Sequence, residues 1–309
     1  MLDALPAPPA GKFGWPWTVD LVSRAVEEKD TTPLPKISIV TPSYNQAQYL
    51  EETIRSVLLQ DYPNLEYIVI DGGSTDNSVE IIKNYEPWLA HWVSKPDRGQ
   101  SHALNKGYER VTGALVGWLN SDDMYCPGAI WKVAQAALAR PLADVFYGGI
   151  YVIDSENNIC DGFWPTDFNI QYSLLFGMDI HQQALFWAKK LWDKIGGMDE
   201  AMYFAMDMDF VARLLLSGRP TRILQFLGMF RHHPQAKTSR IRDVGMREVQ
   251  ILRERYAQHL GGADVHQIRR ARLMQIWMEA GPRYFVYKAF QRLGFRLSSS
   301  LLGGSDFSK

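Results

Sequence analysis

Short apolar runs alternate with helix-length amphipathic stretches through the first half of this chain. Residues 37–41 are apolar and β-branched, which predicts a strand. Over 48–60, Leu50, Ile54, Val57 and Leu58 fall on one helical face. Residues 67–71 form a second strand that ends in Asp71, and Gly72-Gly73 turns the chain. Ser74 or Thr75 is then placed to cap a helix carrying Val79, Ile82 and Tyr85. A brief third strand at 92–93, a helix over 101–111, a fourth strand over 114–119 and a helix over 128–140 continue the pattern. Strand and helix in regular alternation, with short links, predict a parallel sheet covered on both faces. Beyond Ala143 the rhythm changes. Residues 145–153 and 223–230 read as strands, and 191–195 and 207–216 as helices. From 240 onward the chain reads as helical, broken at Gly261-Gly262 and Gly281-Pro282.

The polar residues that close these strands carry the candidate chemistry. In an open α/β sheet, ligands sit beyond the carboxyl ends of the strands. The first strand ends Thr41-Pro42-Ser43-Tyr44-Asn45, the second at Asp71, and the fourth at Asn120-Ser121-Asp122-Asp123. Adjacent carboxylates at the end of a buried run repel each other and are costly to desolvate; a bound cation removes both costs. The competing reading is a helix-capping acid beside a solvated one. After the third strand, Lys95-Pro96-Asp97-Arg98-Gly99 is either a basic loop for phosphates or a plain turn. Neither GxGxxG nor GxxxxGK[ST] occurs, so a bound nucleotide would need a metal and a basic loop to neutralise its phosphates.

Composition is that of an ordinary globular protein, with 46% hydrophobic and 22% charged residues among 309. Charge is unevenly spread. From Arg231 to the end there are 15 Lys and Arg against 6 Asp and Glu, or +9; the first 230 residues carry 18 against 28, or −10. Arginines in the last part are interleaved with Met274, Ile276, Trp277, Tyr284 and Phe285. Such a basic amphipathic tail suits a membrane surface, or it packs on the acidic body. Two cysteines, Cys126 and Cys160, do not suggest a disulfide framework. No apolar run reaches the roughly 18 residues needed to span a bilayer. The expectation is a cytoplasmic protein, at most peripheral to a membrane and without a basic groove for nucleic acid. The Pro-rich first 35 residues read as an irregular arm, docked on the body by Trp15 and Trp17.

Four ordered blocks, ISIVTPSYNQ, EYIVIDGGSTDNS, KPDRGQSHALNKG and GWLNSDDMYCPGA, resemble the inverting glycosyltransferases of family 2, which have the GT-A fold. The likeness runs from Ile37 to the segment 231–239. It implies an α/β, Rossmann-like, mostly parallel sheet flanked by helices, with a C-terminal helical extension. The divisions expected are the arm over 1–35, a GT-A domain over 36–239, and a basic helical extension over 240–309. Within the domain, 36–125 would bind the nucleotide and 126–239 the acceptor. The resemblance also implies a nucleotide-diphospho-sugar donor, a glycan or lipid-linked acceptor, and Mn2+ or Mg2+. Thr41, Pro42 and Tyr44 would flank the base, Asp71 would accept the N3–H of a uracil or thymine, and Asp97 and Arg98 would meet sugar or diphosphate. Asp122 would hold sugar hydroxyls, Asp123 the metal, and His233 would complete the metal shell. Asp207 would be the general base, although Met206 stands where the family usually has Glu. On residue type alone, Asp207 is equally a helix cap. His181 is placed for acceptor binding. At a helix N-terminus the dipole is expected to lower the pKa of Asp207. Two other readings are a nucleotidyltransferase and a non-catalytic nucleotide-sugar-binding protein. The first wants an early glycine-rich phosphate loop, and the second predicts loss of Asp207 or Asp123.

Overall fold

The computed structural model describes residues 5–18, 33–177, 180–237, 242–262 and 264–292. Expectations that rest on the rest of the arm, on Thr238 and Ser239, and on Leu293 to the end lie outside the described residues. The first half runs β1 (Ile37–Ser43), α1 (Leu50–Leu58), β2 (Leu65–Asp71), α2 (Ser78–Tyr85), β3 (His91–Ser94), α3 (Gln100–Tyr108), β4 (Leu115–Trp118), β5 (Met124–Tyr125) and α4 (Ala129–Ala139). The second runs β6 (Val145–Ile153), β7 (Ile159–Phe163), α5 (Ile170–Phe176), β8 (Leu185–Ala188), α6 (Lys189–Ile195), α7 (Met206–Ser217), β9 (Pro220–Arg231), α8 (Arg242–Arg255) and α9 (Val265–Arg292).

The strands join in one sheet, β3-β2-β1-β4-β8-β6-β9-β5, with β7 added to β6. The block β3-β2-β1-β4 is parallel, as the alternation predicts. β6 and β9 are also parallel, while β8, β5 and β7 pair antiparallel. Both faces of the sheet are dry. Ile37, Ile39 and Val69 pack with Leu50, Ile54 and Val133 on one side. Val40, Ile68, Ile70 and Val116 pack with Leu104, Phe210 and Leu214 on the other. Alternate residues of each strand therefore enter opposite cores, which is why the sequence shows unbroken apolar runs. Gly117 leaves room between Ile39 and Phe186, whose side chains would lie 2.9 Å from a Cβ there.

Register then delivers the polar ends to one edge. Ser43 lies opposite Asp71, and Asp71 opposite Ser94, so three strands end on one rung. One local expectation is corrected. Neither Ser74 nor Thr75 caps α2, which starts at Ser78 after Asn77. The Ser74 hydroxyl is drawn instead to Asp71.

The arm docks as its tryptophans suggest. Trp15 Nε1 donates to the Tyr125 carbonyl at 2.9 Å, and the Arg55 guanidinium donates to the carbonyls of Pro6, Pro16 and Trp17. The C-terminal helices also meet the body. On α9, Arg272 donates to the Asp167 carbonyl, and Glu279 pairs with Arg222. The helix bends at Gly281, near the expected break, with φ 73°. Among the described residues no helix is long and apolar enough to cross a membrane.

Candidate active site

Asp71 is fully buried where β2 ends. Its carboxylate accepts from Gly73 N at 3.0 Å, Ser74 N at 2.9 Å and Ser94 Oγ at 2.6 Å, and from the Ser74 hydroxyl. The loop after β1 is tied to the same turn. Asn45 N donates to Ser74 Oγ, and Asn45 Oδ1 accepts from Thr75 N, both at 2.8 Å. Asn45 takes φ 51°, a conformation its short polar side chain tolerates. Tyr44 projects from this loop and is 60% exposed. Thr41 is buried, its hydroxyl 3.1 Å from that of Tyr67, and Pro42 beside it is buried too. Of the three residues expected to flank a base, Tyr44 alone presents a ring to solvent.

The loop after β3 folds over this edge. A Cβ on Gly72 would meet the Asp97 carboxylate at 2.8 Å, so Asp97 sits directly on the turn that follows Asp71. Arg98 is exposed and reaches across to the loop between α6 and α7, donating to Glu200 at 3.1 and 2.6 Å. Gln100 bridges further in: its amide donates to Asn120 Oδ1 at 2.7 Å, and its carbonyl accepts from Lys237 Nζ at 3.2 Å.

The two adjacent acids part company. Asp123 is buried, and its carboxylate accepts from Gln182 Nε2 at 3.1 Å, Gln183 Nε2 at 2.9 Å and Arg231 N at 2.9 Å. Burial and the neighbouring Asp122 charge push its pKa well above the usual carboxylate range. Asp122 faces the other way, with Oδ2 3.1 Å from His233 Nε2. The His233 ring packs at 4.8 Å on Tyr49. Among the described residues, no group of three or more His, Cys, Asp or Glu gathers to hold a metal.

Asp207 stands in the first turn of α7, half-buried, with Oδ1 accepting from Met208 N at 2.8 Å. Its pKa is raised, because burial outweighs the backbone hydrogen bond and Lys237. This corrects the expectation that the helix terminus would lower it: desolvation wins. Lys237 spreads its charge over the Tyr203 ring, 4.4 Å away. Asp209, two residues on, turns to the opposite side and pairs with Arg213 and Arg255. Asp97 thus sits on the turn after Asp71, while Lys237, which faces Asp207, is bonded through Gln100 to Asn120, two residues before Asp122.

The sequence model of glycosyl transferase family 2 matches residues 38–190. An uncharacterized glycosyltransferase of Mycobacterium tuberculosis strain H37Rv is 31% identical over 195 residues, covering 62% of this chain and 73% of that relative. The chain belongs to glycosyl transferase family 2. An uncharacterized glycosyltransferase of Rickettsia typhi is 31% identical over 194 residues, 60% of this chain and 61% of its own length. The fold of this family-2 glycosyltransferase is similar to that of Staphylococcus aureus TarS 1–349 in complex with UDP. That likeness has a TM-score of 0.51 and 19% identity over 86% of this chain and 77% of that one. A second structure of S. aureus TarS gives a TM-score of 0.54 at 21% identity, with 70% of this chain covering 39% of it. The GT-A-like α/β sheet expected from the ordered blocks is therefore borne out.

Two parts of this family-2 chain were not legible in the motifs. Gln182 and Gln183, which hold Asp123, lie in the HQQALFW stretch that drew attention only for His181. His181 itself packs its ring 5.0 Å from Phe163, and burial together with Lys288 lowers its pKa to about 4. Its Nε2 is buried without a hydrogen-bond partner. Glu200, the partner of Arg98, lies in the loop between α6 and α7.

Proposed function

We propose that this glycosyltransferase inverts configuration as it moves a sugar from a nucleotide-diphospho-sugar, a UDP- or dTDP-sugar, to a hydroxyl of a glycan or lipid-linked acceptor. The observation that carries this reading is the chain of contacts from Asp207 through Lys237 and Gln100 to Asn120, at the strand end that bears Asp122. Tyr44 offers the exposed ring for base stacking. Asp71 anchors the turn beneath the base; its carboxylate already takes four donors, so its fit to an N3–H would need one shared oxygen lone pair. Asp97 and Arg98 are placed for the sugar and diphosphate. TarS has been captured with UDP and with UDP-GlcNAc, which favours a uridine donor here.

Mn2+ fits the oxygen and nitrogen donors of Asp122 and His233, which stand 3.1 Å apart, whereas Mg2+ would be held by Asp122 with phosphate and water oxygens. These ions are commonly held by few protein groups, with phosphate and water oxygens filling the shell. Asp123, to which the resemblance gives the metal, accepts from three N–H groups and keeps one lone-pair site, so Asp122 is preferred here as the ligand. The bound ion would supply charge stabilisation for the leaving diphosphate. Asp207, deprotonated and half-buried, takes the proton of the acceptor hydroxyl as that oxygen attacks the anomeric carbon. His181, with a buried free nitrogen, is retained as an acceptor-side residue. The Lys237 charge works in favour of the ionised carboxylate, against the burial that raises its pKa.

The exposed face of α9 carries Leu273, Met274, Trp277 and Met278 beside Arg269 and Arg270. This supports peripheral contact with an anionic cytoplasmic membrane face, where a lipid-linked acceptor would be met. The deciding experiment incubates the protein with UDP- and dTDP-sugars, Mn2+ and acceptor glycans, and follows the anomeric configuration of product by NMR. Product of retained configuration would sink the inverting mechanism.

A further inference from the structure

We infer that Glu248, on the C-terminal helix α8, is a positioning residue for Asp207. The inference rests on the reading of Asp207 as base. A helix leaves its first N–H groups without partners, and a local side chain usually supplies the acceptor. Helix α7 has Ala205 at that place, which has nothing to offer. The entry to the helix is fixed instead from 43 residues away by Glu248, which takes the N–H groups of the turn just before α7. Its Oε2 accepts from Ala205 N and Phe204 N, both at 2.7 Å, and its Oε1 accepts from Tyr203 N at 2.8 Å. The side chain is only 8% exposed. Three N–H groups on one buried carboxylate fix the turn that launches α7, and Asp207 lies two residues beyond it.

The approach of the two segments is close. A Cβ on Gly245, one turn before Glu248, would meet the Phe204 ring at 2.7 Å. Farther along α8, Arg255 Nη1 donates to Asp209 Oδ1 at 2.7 Å and its Nη2 to Asp199 at 3.0 Å, while the Tyr256 hydroxyl reaches Asp209 at 3.1 Å. One helix thus grips the first turn of α7 at two points. The same hold places Tyr203, whose ring lies against Lys237 and over Gly99. The charged groups that face Asp207 are Lys237 and Glu248, and Lys237 faces both acids.

Glu248→Gln keeps the size of the side chain, removes its charge and turns one accepting oxygen into a donor. The expected result is a fall in kcat of about tenfold or more, because a small misplacement of a base is costly. Donor KM should stay within about twofold, since no donor contact is touched. The acid limb of the kcat–pH profile should move to lower pH as the neighbouring negative charge disappears. Glu248→Asp keeps the charge and loses the reach; kcat should fall with the limb unmoved. Hydrogen exchange gives a readout free of activity: the amides of 203–205 should be protected in the native protein and exchange faster in both variants. Unprotected amides in the native protein, or Glu248→Gln with native kcat and native pH limb, overturn the inference. Asp207→Asn is measured alongside. If it abolishes transfer while Glu248→Gln is silent, the positioning role alone fails. If it retains transfer, the base reading fails and takes the inference with it, even where the amides are protected.

Discussion

Asp122 Oδ2 and His233 Nε2 meet at 3.1 Å although 111 residues separate them in sequence. The meeting is enforced by Arg231, two residues before the histidine. Its backbone N–H is bonded to Asp123, and its Nε donates to the Asp122 carbonyl at 2.8 Å. The end of β9 is thereby fastened to the loop after β4, and His233 arrives beside Asp122.

Asp122→Ala and His233→Ala should each weaken Mn2+-dependent binding of a nucleoside diphosphate by about tenfold or more, with Tm near native. Titration calorimetry with and without chelator measures this. Asp123→Ala should behave differently, lowering the unfolding free energy by about 3 kcal/mol as three buried donors lose their acceptor. A stably folded Asp123→Ala that alone loses the response to metal would return the ion to Asp123.

Asp207→Asn should leave calorimetric donor affinity unchanged and reduce kcat about a thousandfold, within the range of a lost general base. A base works deprotonated, and burial holds the Asp207 pKa above that of an ordinary aspartate. Activity should therefore decline as pH falls, beginning at a higher pH than an exposed Asp would give. A flat acid limb in native enzyme would place the base elsewhere.

Tyr44→Ala should raise donor KM about fivefold to tenfold, the size of one aromatic stacking contact. Its ring is exposed, so thermal unfolding should be unaffected. Equal KM for the variant and native protein would show that the base binds away from this loop.

His181 is half-buried with its Nε2 enclosed, and its pKa is lowered to about 4. In the unfolded chain it titrates near the ordinary value, so between those two pH values the unfolded state binds the extra proton. Stability is then full above the unfolded pKa and is lost as pH falls toward 4, by up to about 3 kcal/mol. His181→Gln should flatten that part of a Tm-against-pH curve; a variant curve parallel to native would exclude the half-buried neutral ring.

The nucleotide-binding half was legible because each of its strands feeds two apolar cores in alternation, which leaves unbroken runs such as Tyr67-Ile68-Val69-Ile70. Strand ends were legible for the same reason, since Asp71 and Asn120 interrupt those runs. Which of Asp122 and Asp123 turns inward was not. That depends on Gln182, Gln183 and the Arg231 backbone, all distant in sequence. Strand β7 was missed because ICDGF has no clear alternation, whereas the HQQALFW stretch does read as strand-like and carries β8. Glu248 had no local signal at all: on its own helix it reads as one more surface acid.

Arg231 is wholly enclosed, and its guanidinium pairs with Glu52 of α1 at 2.7 Å. Stranding either charge without its opposite would cost about 3–5 kcal/mol. Descent can thus alter these two positions only in tandem. Across relatives of this enzyme, an acid at 52 and an arginine at 231 should be inherited or surrendered as a couple.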